Sequence, residues 1–273
     1  MRVVTLVENT AFNADYQVKH GLSLYIETAN HKILFDLGMN ELFIENARKK
    51  NIDISEIDTV IISHGHKDHG GALEHFLKLN SKAKFYIRED AFEPHYIKVL
   101  GIPFSVGLDG SLKESEQIVF VKDELQIDEE LFIFSNVKNE KYIMKSNSVL
   151  YARKDGCLVQ DDFSHEQNLI INEDGKKVLF SGCSHAGIMN ILDKAEELQG
   201  CGMNTVIGGF HLYNPPTKKY ESREMISQLA SELHEKSCTY FTCHCTGVKA
   251  YQQMKEILGE SLSYLSTGRE ILL

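Results

Sequence analysis

Three histidines and an aspartate fall within six residues in Ser63-His64-Gly65-His66-Lys67-Asp68-His69-Gly70-Gly71, directly after the apolar run Thr59-Val60-Ile61-Ile62. Imidazole nitrogens and a carboxylate at this density form a metal-ligand set. Histidines two apart project to the same side of an extended segment, so His64 and His66 can grip one ion while Asp68 and His69, one turn further on, face a second. The competing reading is a polar loop that happens to be rich in histidine. It leaves several imidazoles at a strand mouth with no structural purpose.

Three more histidines follow apolar runs. His185 lies in Ser181-Gly182-Cys183-Ser184-His185-Ala186-Gly187, His211 follows Val206-Ile207-Gly208-Gly209-Phe210, and His244 follows Thr239-Tyr240-Phe241-Thr242. Loops at one edge of a sheet are where such side chains can meet without breaking a core. The connection holding His244 is short, which suits a ligand. His211 precedes an irregular stretch through Pro215 and Pro216, which suits a substrate contact, with Lys218 and Lys219 available to an anionic group. Asp36 ends an apolar strand and can accept the second ring N–H of a ligating histidine.

These loops need strands and helices to hold them. Hydrophobic alternation predicts strands at 2–8, 23–28, 32–36, 59–62 and 84–87, with helices near 41–50 and through Leu73, Phe76 and Leu77. The plan recurs later: strands at 169–171, 178–181, 205–207, 239–242 and 270–273, and helices near 187–199, 221–236 and 247–258. Ile33-Leu34-Phe35-Asp36-Leu37-Gly38 and Val178-Leu179-Phe180-Ser181-Gly182-Cys183 occupy equivalent places, which implies two pseudo-symmetric βα halves. Weak strand patterns near 118–121 and 131–134 sit within 93–150, read as an insertion or lid over the metal mouth. No linker divides residues 1–273, so a single domain is expected.

Lys plus Arg number 29 against 39 Asp plus Glu, a net charge of −10 that disfavours a broad embrace of nucleic acid. No apolar run approaches the ~20 residues of a membrane span, and the first residues do not form a signal peptide, so cytoplasmic residence is the expectation. The six cysteines are late and irregular, and Cys243-His244-Cys245 is too tight for an ordinary disulfide; they are read as reduced thiols. The oligomeric state is left open.

The His64-x-His66-x-Asp68-His69 motif after an apolar strand, with Asp36 and later single histidines after glycine-rich turns, resembles the metallo-β-lactamase superfamily. Gly182-Cys183-Ser184-His185-Ala186-Gly187, Gly208-Gly209-Phe210-His211-Leu212 and Cys243-His244-Cys245-Thr246-Gly247 look like its dihydropterin-ribofuranosylaminobenzene phosphate synthase-like branch. The resemblance implies a four-layer αββα sandwich with one or two divalent ions (Zn, Fe or Mn) in a cleft between its sheets. It implies His64 and His66 on the first ion, Asp68, His69 and His244 on the second, and His185 as a first-ion ligand. Cys183 stands where a bridging aspartate would be expected, and Asp162 lies roughly where the usual third histidine would lie, as a candidate ligand. The expected reaction is hydrolysis of a small, anionic ester or phosphoester by metal-activated hydroxide, with Asp68 orienting or deprotonating it and His211 donating to the substrate oxyanion. Two alternatives stand beside it: the condensing synthase reaction of the branch, and a non-haem di-iron redox or sensing protein.

Overall fold

The computed structural model describes residues 1–273. Its frame is two seven-stranded sheets. The first runs Glu270–Leu272, Arg2–Val7, Ser23–Glu27, Lys32–Phe35, Thr59–Ile61, Lys84–Arg88, Ile118–Val121. The second runs Leu262–Tyr264, Thr239–Thr242, Thr205–Gly208, Lys176–Ser181, Gln167–Glu173, Leu131–Ser135, Glu124–Gln126. Each has an antiparallel section that turns parallel at one strand, Lys32–Phe35 in the first and Lys176–Ser181 in the second. These are the two strands whose sequences match, so the repeat read in the chain is a repeat of topology. The last strand returns to pair with Arg2–Val7.

Three cores define four layers. Alternate residues of each strand point to opposite faces. Leu34, Val60 and Ile62 therefore pack with Phe43, Ala47, Leu73 and Phe76 of the helices Leu42–Lys49 and Leu73–Leu79. Ile33, Phe35 and Ile61 point the other way and meet Leu169, Ile171, Phe180 and Ile207 of the second sheet, with the Phe35 and Phe180 rings 5.9 Å apart. The helices Ile188–Gln199, Arg223–Glu235 and Val248–Leu258 cover the far side through Ile191, Leu192, Leu229, Leu233 and Met254. This is the αββα sandwich. Each large side chain so buried contributes roughly 1.5–3 kcal/mol, which ties both strand-to-loop edges to one rigid body.

The stretch 93–150 is not one insertion. Ile118–Val121 closes the first sheet, and Glu124–Gln126 with Leu131–Ser135 opens the second, so this part of the chain is the crossover between the halves. A separate four-stranded sheet is built from His95–Val99 and Ile102–Ser105 together with Leu150–Lys154 and Cys157–Gln160. Its strands are short and half-exposed, which weakened their periodicity in the sequence.

Candidate metal centre

The parallel strands of both sheets deliver the candidate ligands at their C-terminal ends. Asp36 follows Lys32–Phe35, the segment 63–69 follows Thr59–Ile61, Cys183 and His185 follow Lys176–Ser181, His211 follows Thr205–Gly208, and His244 follows Thr239–Thr242. The two sheets lie face to face, so these loops converge on one cleft. Gly182 permits their closest approach: a Cβ there would stand 2.6 Å from Ser63 Cβ and 3.2 Å from His64 Nδ1.

Four imidazoles are oriented by bonds at Nδ1. Ser63 Oγ donates to Asp36 Oδ2 at 2.7 Å, which leaves it to accept from His64 Nδ1–H at 2.8 Å. His69 Nδ1–H donates to Asp36 Oδ2 at 2.6 Å, His185 Nδ1–H to Asn147 Oδ1 at 3.0 Å and His244 Nδ1–H to Asn9 Oδ1 at 3.1 Å. Each Nε2 is thereby turned inward, the arrangement expected of ligating histidines. The Nε2 atoms of His64, His66 and His185 are buried with no hydrogen-bond partner, and the three rings lie 4.7–5.0 Å apart. Orphaned buried nitrogens cost roughly 1–3 kcal/mol each, so unpartnered nitrogens on rings this close together are available to a cation. Burial, and then repulsion among neighbouring imidazoles, holds the pKa of His64 well below the ordinary value. Burial does the same first for His66 and His185, so all three rings are neutral with free lone pairs.

A second group adjoins the first. His69 Nε2 lies 3.2 Å from His244 Nε2 and 3.2 Å from Cys183 Sγ, and Asp68 Oδ2 lies 3.3 Å from His244 Nε2 and 3.8 Å from His69 Nε2. Burial opposes charge on His69, but Asp36 and Asp68 outweigh it and push its pKa up to about 9. Burial likewise opposes the charge on Asp68, yet His69 and the hydrogen bonds from His20 and His244 hold its carboxyl well below the usual carboxylate range. Cys183 is grouped with His64 and His185 on one side and with His69 and His244 on the other, each set within 4.8 Å. Its sulfur therefore stands between the two imidazole sets. The nitrogen, carboxylate and sulfur donors fit a transition-metal ion better than magnesium or calcium.

Not every expected residue joins. Asp162 is 58 % exposed and paired with Lys154 Nζ at 2.6 Å, so it is no ligand in this arrangement. Its neighbour Asp161 is buried and bonded to His95 Nδ1 at 3.1 Å and His165 Nε2 at 3.3 Å, while Gly65 N–H donates to His165 Nδ1 at 2.9 Å. This cluster buttresses the backbone between His64 and His66; the four-residue spacing of Asp161 and His165 was its signal in the sequence. Lys218 and Lys219 sit exposed on the hairpin of Tyr213–Asn214 and Lys219–Tyr220, away from the cavity wall.

The centre opens into a cavity of about 350 Å³. Met39, Ile97, Val149, Leu150, Pro215 and Pro216 form much of its wall, and His20 and Lys67 stand among its polar groups. Ile97, Val149 and Leu150 come from the small sheet and the turn entering it, so that sheet lines part of the cavity. His211 faces the same space, its ring 4.2 Å from that of His185. Asp36, Ser184, His211 and His244 all have positive φ, between 50° and 60°, a conformation uncommon for residues other than glycine.

The metallo-β-lactamase superfamily model matches residues 17–139. Over the whole length, a crystal structure described as a metal-dependent hydrolase of the β-lactamase superfamily superposes with a TM-score of 0.85 at 27 % identity, covering 100 % of this chain and 99 % of that one. The fold and the matched segment are those of the metallo-β-lactamase superfamily. The chain is 29 % identical to the 7,8-dihydropterin-6-methyl-4-(β-D-ribofuranosyl)-aminobenzene-5'-phosphate synthase of Methanocaldococcus jannaschii, covering 99 % of this chain and 96 % of that protein. An uncharacterised protein of the same organism is also 29 % identical, over 92 % of this chain and 93 % of its own length.

Proposed function

We propose that the protein is a metal-dependent hydrolase of a small, anionic ester or phosphoester whose apolar body fills the cavity. The observation that carries this reading is the set of buried, unpartnered Nε2 atoms of His64, His66 and His185 beside a second group made by Asp68, His69 and His244. A divalent ion such as zinc, iron or manganese, held by these groups, would supply Lewis acidity and lower the pKa of bound water toward neutrality. Asp68, ionised and at the cavity wall, orients the attacking water and takes its proton. His20 Nε2, 3.2 Å from Asp68 Oδ2, steadies that carboxylate. His211 donates to the oxygen on which negative charge develops, Lys67 attracts the anionic end, and the apolar wall excludes bulk water.

The test is to strip the protein, reload it with each ion, and assay phosphodiester, lactone, thioester and diphosphate substrates. Hydrolysis of one class should depend on the ion. His211→Ala should keep the ions held by His64, His66 and His185 and by Asp68, His69 and His244, yet lose about 2–4 kcal/mol of transition-state stabilisation. A fully loaded protein inactive on every class would overturn the proposal. The full-length match to the synthase supports a second reading, a condensing reaction at the same ions. Turnover of that relative's substrates by a protein with no esterase activity would select it.

A further inference from the structure

Beside the two groups used above, the cavity carries a third set of donors. Cys183 Sγ, Cys245 Sγ and a ring nitrogen of His211 all lie within 4.8 Å of one another, and all three residues are buried. His211 is 7 % exposed, and both of its ring nitrogens are buried without a hydrogen-bond partner. An imidazole so placed is costly. The fold nevertheless fixes it: its backbone sits at φ 51°, and Ser146 Oγ donates to its carbonyl at 2.8 Å. Cys245 Sγ donates to the Cys183 carbonyl at 3.5 Å.

We infer that Cys183, Cys245 and His211 form a third metal position, selective for a thiophilic ion such as Zn²⁺ or Cd²⁺. Two sulfurs and an imidazole are a soft donor set, which disfavours manganese and magnesium. A tetrahedral ion with Zn–S of about 2.3 Å and Zn–N of about 2.0 Å wants its donors about 3.5–3.8 Å apart, a closure of at most about 1.3 Å from separations within 4.8 Å. On binding, each thiol S–H bond breaks as an S–metal bond forms, the protons pass to solvent, and the ion keeps its oxidation state. All three residues line the cavity. Occupancy engages His211 and so removes it from substrate, which makes excess soft ion an inhibitor. That consequence alone rests on the role given to His211 above.

The experiment reads ligands, not activity. Wild-type protein stripped of metal is loaded with one to three equivalents of Cd²⁺, and its coordination is measured by X-ray absorption together with thiolate-to-cadmium ultraviolet absorption. A cadmium population with two sulfur neighbours is expected, since Cys183 and Cys245 bring two sulfurs to one donor group. Cys245→Ser should lose the second sulfur and His64→Ala should retain it. A wild-type shell of one sulfur or none at every loading would overturn the site, as would two sulfurs persisting in Cys245→Ser. If that variant fails to fold, the wild-type sulfur count decides alone.

Discussion

Gly182→Ala tests whether the close approach of the two halves makes the metal centre. The new methyl carbon would meet Ser63 Cβ at 2.6 Å, short by about 0.8 Å of the 3.4 Å at which ordinary contact begins, with Ser63 Oγ closer still. Ser63 cannot swing away, because its hydroxyl is held by Asp36 and His64 and its amide donates to Asp36 Oδ1 at 2.7 Å. The loop carrying Cys183 and His185 must therefore move away from His64 and His66. Metal sites tolerate displacements of only about 0.2 Å, so the group made by His64, His66 and His185 should come apart. Overpacking of this kind costs about 1–3 kcal/mol, roughly 2–12 °C in melting temperature for a chain of this size. A misplacement near 1 Å costs on the order of 100-fold in turnover. Metal content by mass spectrometry, thermal melting and esterase rate are read on the same preparation. A variant that melts with the wild type and carries its full complement of ions would refute the reasoning.

Further predictions follow from the groups around the centre. Asp36→Asn keeps a residue that tolerates the left-handed backbone but removes the carboxylate beneath His69 and Ser63, and should weaken metal binding about 10–100-fold by equilibrium dialysis; unaltered affinity would exclude an orienting role. In metal-free protein the folded-state pKa of His69, raised to about 9, gives stability that is fully present below the ordinary value near 6.5 and lost as pH rises through about 9, on the order of 3 kcal/mol. Urea unfolding across that range should show the loss in the wild type and a flatter profile in Asp36→Asn; equal slopes would contradict the pairing. Asp161→Asn, which disturbs His95 and His165 behind Gly65, should lower metal affinity several-fold, whereas Asp162→Asn at the surface should not. The reverse order would reinstate Asp162. Lys67→Ala should raise KM for an anionic ester with little change in kcat, while Lys218→Ala and Lys219→Ala should leave both unchanged, and steady-state kinetics on the three variants decides between them.

The ligand motif and much of the frame were legible in the chain because they are local. His64, His66, Asp68 and His69 are close in sequence, and the strand ahead of them is buried on both faces, which writes a continuous apolar run. The strands Ile118–Val121 and Leu131–Ser135 were visible as apolar alternation, but their membership of different sheets was not, since pairing is decided by partners far along the chain. The small sheet was missed because its strands are short and half-exposed. Nothing local in the sequence distinguishes Asp162 from the adjacent Asp161. Burial separates them, through contacts with His95 and His165 on one side and Lys154 on the other. Residue types and their places along the chain are enough to show which side chains can bind an ion and that each follows a strand. How they combine is a matter of packing: one sheet laid on the other brings His185 to His64 and His66, sets Cys183 between two imidazole groups, and turns each Nε2 inward by supplying Asp36, Asn147 and Asn9 as acceptors from distant parts of the chain.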